Sequence, residues 1–162
     1  IQDALKDEHI GMIQTRYFPT RKVVMLRQTI PSGADLELFI RILENSSKLQ
    51  SAVFLGKIGM SISKERMEQR KFDSYDAIFL LIENEVAEES VQEDIQAGDY
   101  VTLRFRGTHE DASAYYEKLI HYIEQHQLTI TGHSVEITYI DYGLSKNKDD
   151  FVTEIQIPIA TA

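Results

Sequence analysis

The strongest constraint on this chain is an order of elements that occurs twice. "VVMLRQ" (23–28) is a β-branched run, and the turn-forming "PSGAD" after it leads into "DLELFIRILENSSKLQ". In that stretch Leu36, Phe39, Ile40 and Leu43 stand at i, i+3, i+4 and i+7, the spacing of one helix face. "GKIGMSIS" (56–63) then alternates Ile58, Met60 and Ile62, and "DAIFLLI" (76–82) is an unbroken apolar run. The second pass begins with the strand "GDYVTLRFRG" (98–107) and a helix over "THEDASAYYEKLIHYIEQHQL". Thr108 and Asp111 give that helix a capping box, and its buried stripe is Ala112, Tyr115, Tyr116, Leu119, Ile120 and Ile123. "VEITYID" and "FVTEIQIPI" (151–159) close the pass as two strands. One β-α-β-β unit is too small to bury both its helix stripe and its sheet. The expected fold is therefore α+β: two pseudo-symmetric β-α-β-β repeats forming one antiparallel sheet with both helices on one side. A ligand would find a concave wall on the sheet face away from the helices or in the cleft between the halves. The lead-in "IGMIQTRYFPTRK" is expected to add an edge strand ending at Pro19.

A chain of 162 residues, 43% apolar, suits one core. The expected domain is residues 11–162, with repeat one at about 20–82, an acidic connector at 83–96 and repeat two at 97–159. "IQDALKDEHI" (1–10) reads as the tail of an upstream linker or dimerisation helix. The connector carries Glu83, Glu85, Glu88, Glu89, Glu93 and Asp94, a solvated charge run. No signal peptide or membrane-spanning run is visible, so a cytoplasmic protein is expected. Zero cysteines exclude thiol chemistry and Cys-based zinc sites. A net charge of −9 argues against direct contact with a phosphate backbone and favours cationic partners.

Catalytic signatures are missing: there is no HExxH, GxSxG, P-loop or Rossmann glycine pattern. His9, His109, His121, His126 and His133 read as surface or capping residues, and no metal or cofactor is expected. "GKIG" resembles the GxxG loop of an RNA-binding KH domain, but it lies inside an alternating strand of an acidic chain, where a bend-permitting glycine is the simpler reading. The exception to this plainness is Glu136 in "GHSVEITYIDYG" (132–143). Alternation puts Val135, Ile137 and Tyr139 on one face, expected to meet the helices, and Glu136 on the other with Thr138, Ile140 and Tyr142. A charge on a strand is costly to bury unpaired, so Glu136 either faces water or has a ligand to meet. Aromatics near strand ends, among them Tyr75, Phe105, Tyr142 and Phe151, are available to wall a pocket and attract a cation.

"AGDYVTLRFRG", the helix ending "YYEKLIHYIEQHQLTITG", then "VEITYID" and an acidic loop into "FVTEIQIPI" together resemble the effector-binding domain of MerR-family multidrug-responsive transcription activators of the BmrR type. That fold is shared with the GyrI-like group. The likeness is collinear from Gly98 to Ile159 and looser before Tyr75. It implies a lipophilic cation bound in an aromatic pocket with a glutamate at its base, the position matched by Glu136. Pocket aromatics match Tyr75 and Phe151, while Leu36, Phe54 and Ala112 stand where the family has tyrosines. Ile140, Tyr142 and Phe105 complete the candidate ligand-binding set, with Glu154 as the rival carboxylate. The resemblance further implies an upstream DNA-binding domain, a homodimer, RNA polymerase as partner at the promoter, and activation of a multidrug efflux gene. A stand-alone protein-binding module, or a small-molecule hydrolase with Glu136 as general base and a tyrosine as acid, are the alternatives.

Overall fold

In the computed structural model, residues 10–34, 36–39, 41–42, 58–82, 92–139 and 151–161 are described. β-Branched and apolar runs become the strands β1 (Ile13–Phe18), β2 (Arg21–Pro31), β3 (Ile58–Ser61), β4 (Ser74–Ile82), β5 (Gln92–Ile95), β6 (Gly98–Arg106), β7 (Leu128–Ile130), β8 (Val135–Tyr139) and β9 (Val152–Thr161). Their order across the sheet is β1-β6-β9-β8-β3-β4-β2-β5, with β7 pairing the far end of β9, and every pairing between strands is antiparallel. Repeat two thus contributes β6-β9-β8 and repeat one β3-β4-β2, which is the same order reversed. The reversal is what a pseudo-two-fold axis between β8 and β3 produces, as the doubled sequence order predicts. The lead-in strand is also as expected: β1 pairs β6 at one edge.

The helices lie on one face. α2 (Ser113–Gln125) buries Tyr116, Leu119, Ile120 and Ile123 against Val101, Leu103, Phe105, Ile155 and Ile157 of the sheet. Full burial of side chains of this size contributes about 1.5–3 kcal/mol each. The capping box is present: the Thr108 hydroxyl and the Asp111 carboxylate each accept a backbone N–H at the turn His109–Asp111 that leads into α2. Leu36 and Phe39, at the start of the first predicted helix, pack on the same core, and residues 37–39 and 41–42 are helical. A short helix absent from the sequence reading, α1 (Lys64–Glu68), adds Met67 to that core.

The other face carries a smaller cluster of Val23, Phe79, Tyr100, Val135 and Ile137. This corrects the expected orientation of β8. Val135 and Ile137 face away from the helices, while Glu136 pairs Met60 and Ile155, both of the helix-side core, and so points toward the helices. The acidic connector is corrected in part too. Residues 92–95 form edge strand β5 on β2, where Glu93 pairs with Arg27 and Asp94 with Lys22 at 2.6 Å. Residues 1–9 and 83–91 lie outside the described residues.

β3 and β8 join the halves through two residue pairs, Gly59 with Ile137 and Met60 with Glu136. Just beyond them the seam is pinned by Ser134, whose N–H donates to the Ile62 carbonyl at 2.9 Å and whose hydroxyl accepts from the Ile62 N–H at 2.9 Å. The Tyr116 hydroxyl meets Ser134 Oγ at 2.8 Å, which ties α2 to the same point. Glu136 therefore stands at the junction of the two repeats.

Candidate functional site

Glu136 is fully buried. Its Oε2 accepts the Tyr75 hydroxyl at 2.6 Å and meets His109 Nδ1 at short hydrogen-bond range. Tyr75 comes from the start of β4, and His109 from the turn before α2, so one carboxylate oxygen is held by both repeats. Burial, and next the negative charge of Glu136, hold the Tyr75 hydroxyl far above the ordinary tyrosine range. It remains a donor at any physiological pH. Tyr116, buried behind the same carboxylate, is also pushed well above its ordinary value, first by burial. Glu136 Oε1 is different: it is buried and has no hydrogen-bond partner among the described residues. Such an oxygen is expensive to leave unmet, by about 1–3 kcal/mol or more for a charged group.

Tyr75 and His109, the two partners of this carboxylate, line a mostly apolar cavity of about 210 Å³. Repeat one lines it with Pro31, Gly33, Ala34, Leu36, Met60 and Tyr75, and repeat two with Thr108, His109 and Glu110. This is the cleft between the halves, the second of the two expected locations. The cavity is smaller than the roughly 300–1,000 Å³ of drug-sized sites. As it stands it fits a compact ligand or one arm of a larger one.

Of the sequence candidates, Tyr75 and Leu36 line this cavity; Glu136 does not line it and is joined to it through Tyr75 and His109, which do. Phe105 is buried in the core, stacked on Tyr115 with ring centroids 4.1 Å apart, and does not line the cavity. Ala112 is buried at the start of α2, and Phe151 is half-buried with its carbonyl accepting from the Gly107 N–H. Glu154 faces the opposite side of the sheet, where Arg104 Nε and Arg16 Nη1 donate to it at 2.7 and 2.8 Å. Phe54, Ile140 and Tyr142 lie outside the described residues. His109 was read from sequence as a surface or capping residue, whereas its side chain is 14% exposed and contacts Glu136. The signal available in sequence was its place at the N-terminus of the second helix, which the two-fold arrangement aims at the seam.

A second cavity, of about 250 Å³, opens on the opposite face between Phe79, Tyr100, Val135 and Pro158. Its acidic groups, Glu93 and Asp94, are engaged by Arg27 and Lys22, so no unpartnered carboxylate oxygen marks it as Oε1 marks the first. Among the described residues no cluster of metal-ligating side chains is present.

Residues 12–160 match the GyrI-like small molecule binding domain. The chain belongs to that family. Solved structures resemble this GyrI-like domain at low identity. The C-terminal domain of EcmrR superposes with a TM-score of 0.65 at 16% identity, over 94% of this chain and 99% of that one. EcmrR in its complex with DNA gives 0.68 at 18% identity, over 99% of this chain, which spans 62% of the EcmrR chain. SAV2435 bound to tetraphenylphosphonium gives 0.51 at 15% identity, over 92% and 94% of the two chains. A hydrolase from Listeria innocua gives 0.62 at 11% identity, over 95% and 94%. No curated protein matches in sequence. The GyrI-like domain is thus a small-molecule-binding domain whose fold resembles that of the EcmrR C-terminal domain.

Proposed function

We propose that the cleft between the repeats binds lipophilic organic cations, with Glu136 as counter-charge and Tyr75, Leu36 and Met60 as the wall. The observation that carries this reading is the buried, unpartnered Oε1 of Glu136 behind Tyr75 and His109, which line an apolar cavity. A hydrophobic cation offsets the desolvation cost of that oxygen, whereas a neutral or anionic molecule of the same shape leaves it unmet or repels it. Apolar walls make few directional demands, so many cation shapes are accepted. The binding of tetraphenylphosphonium by SAV2435 is in keeping with this.

In the intact protein this domain, residues 11–162, serves as the ligand sensor of a cytoplasmic, homodimeric regulator that reaches DNA through a separate segment. Ligand binding there activates transcription of a multidrug efflux gene together with RNA polymerase. Support comes from the likeness to EcmrR, whose structure is known with DNA. Ligand can drive such a response only by favouring one domain arrangement over another.

Isothermal titration with tetraphenylphosphonium, the smaller benzyltrimethylammonium and anionic tetraphenylborate tests the site. The two cations are expected to bind and the borate to fail. Glu136→Gln is expected to weaken cation binding by at least about 2 kcal/mol, roughly 30-fold. Equal affinities for wild type and variant would overturn the assignment. The likeness to a Listeria hydrolase keeps one other reading open, with Glu136 and His109 as an acid–base pair. Turnover of an ester panel that disappears in Glu136→Gln would favour it.

A further inference from the structure

A chain of hydrogen bonds fixes the proton on His109 Nε2, while the Tyr75 hydroxyl has two acceptors in reach, Glu136 Oε2 at 2.6 Å and the His109 carbonyl at 3.0 Å. The Thr153 hydroxyl donates to the Gly107 carbonyl at 2.8 Å, and a carbonyl can only accept. Thr153 Oγ1 has then used its hydrogen, so the 2.8 Å contact with Thr138 Oγ1 must be donated by Thr138. Thr138 in turn has only a lone pair left for His109 Nε2 at 3.1 Å, so Nε2 carries a hydrogen. With Nε2 protonated, neutral His109 would aim a bare Nδ1 lone pair at Glu136 Oε2. A lone pair and a carboxylate oxygen repel at that range. The contact therefore holds one further proton, on Nδ1 or on the carboxyl. In either position the His109–Glu136 pair is electrically neutral.

We infer that His109 is the internal counter-cation of Glu136 when the cavity is empty, and that an organic cation binds by taking its place, with one proton released to solvent. The inference rests on the cation-binding reading above and specifies how charge selection works at that site. Net charge in the cleft is the same before and after: imidazolium with carboxylate gives way to neutral imidazole, carboxylate and bound cation. A neutral ligand brings no charge to replace the departing proton, so the exchange is closed to it. His109 also lines the cavity, so its withdrawal enlarges a space that is otherwise small for a drug-sized molecule. Against the pair, β4 supplies the Tyr75 hydroxyl and α2 the Tyr116 hydroxyl, both held neutral by burial. The turn itself supplies exposed Glu110 and Asp111, the latter bonded to the Thr108 N–H. β9 supplies the uncharged Thr153.

The test is calorimetric titration of the 162-residue chain with benzyltrimethylammonium and tetraphenylphosphonium, whose own charges do not titrate, between pH 5.5 and 8.5. Buffers of different ionisation enthalpy report the protons released. Affinity is expected to rise with pH by up to about tenfold per unit, with about one proton released per cation at the acidic end. His109→Gln is expected to abolish the release and to bind more tightly than wild type at pH 5.5. Wild-type binding without proton release, or release that survives in His109→Gln, would overturn the exchange and leave the cation site standing. A His109→Gln affinity reduced by the same factor at every pH would also overturn it, because that is the mark of a packing role alone. Failure of both cations to bind wild type at any pH would overturn the cation-binding reading, and the exchange with it.

Discussion

Glu136 and Glu154 sit on adjacent strands, paired with Ile155 and Ile137 respectively, and face opposite sides of the sheet. The two buried carboxylates have different company. Glu154 accepts from Arg104, Arg16 and the Gln156 amide, the last at 2.5 Å. Glu136 keeps one oxygen unmet on the helix side. The first is a structural ion cluster, and the second has spare capacity for a ligand.

Glu154→Gln is accordingly expected to destabilise the domain without touching the cleft. Arg104 is nearly buried, and removing the charge of a buried partner costs about 3–5 kcal/mol. Urea denaturation should show a loss of that size, while the cation affinity of the folded variant stays within about twofold of wild type. A large affinity loss in Glu154→Gln with none in Glu136→Gln would reverse the roles of the two acids.

Tyr75→Phe keeps the ring at the cavity wall but removes the 2.6 Å donor to Glu136. Hydrogen bonds to charged groups contribute about 1.5–3 kcal/mol, and the expected stability loss is in that range. Cation affinity is expected to fall by less than in Glu136→Gln, since the counter-charge and the aromatic face both remain. Parallel urea and calorimetric titrations of the two variants check the order.

Much of this arrangement was legible because strand alternation and the doubled element order are strong signals. The alternation in β8 was read correctly, yet assigned to the wrong sides. The reason is physical: the sheet is covered on both faces, and Val135 and Ile137 bury against Phe79, Val23 and Tyr100 rather than against the helices. When both faces are apolar, the more apolar one no longer marks the helix side. His109 escaped because its contact with Glu136 spans 27 residues, and no local period connects a turn with a strand that far away. α1 and β7 are too short, at 5 and 3 residues, to show a period of their own.

Alkaline pH should weaken the fold through its buried tyrosines. Burial, then the negative charge of Glu154, push the Tyr139 hydroxyl up to about 12 from an ordinary value of 10. Between those values the unfolded chain has given up a proton that the folded one retains, so stability is whole below pH 10 and falls as pH rises toward 12. A shift of about two units corresponds to roughly 2–3 kcal/mol. Tyr139→Phe is expected to reduce the slope of this part of the stability–pH profile by about one proton's share, with Tyr75, Tyr100 and Tyr116 supplying the rest, measured by urea midpoints from pH 9 to 11.5. An unchanged slope in the variant would show that Tyr139 is not responsible.

Gly59 is expected to be the least replaceable glycine of the seam. It pairs Phe79 on β4 and Ile137 on β8, and a β-carbon built there falls inside the Phe79 ring. Phe79 is fully buried and borders the 250 Å³ cavity on that face, so a ring pushed by the new β-carbon gives up its packing to move into that space. The glycine that sequence reading took for a bend is instead the floor on which that ring lies. Gly59→Ala must shift the ring or part the strands, and overpacking of this kind costs about 1–3 kcal/mol. Because Met60 and Glu136 form the adjacent pair, parting the strands would also displace the carboxylate. Gly59→Ala should therefore lower both the urea midpoint and cation affinity. Gly59→Ala combined with Phe79→Leu, which vacates the ring's space, should recover part of each loss, and no recovery would mean that the ring is not the obstacle.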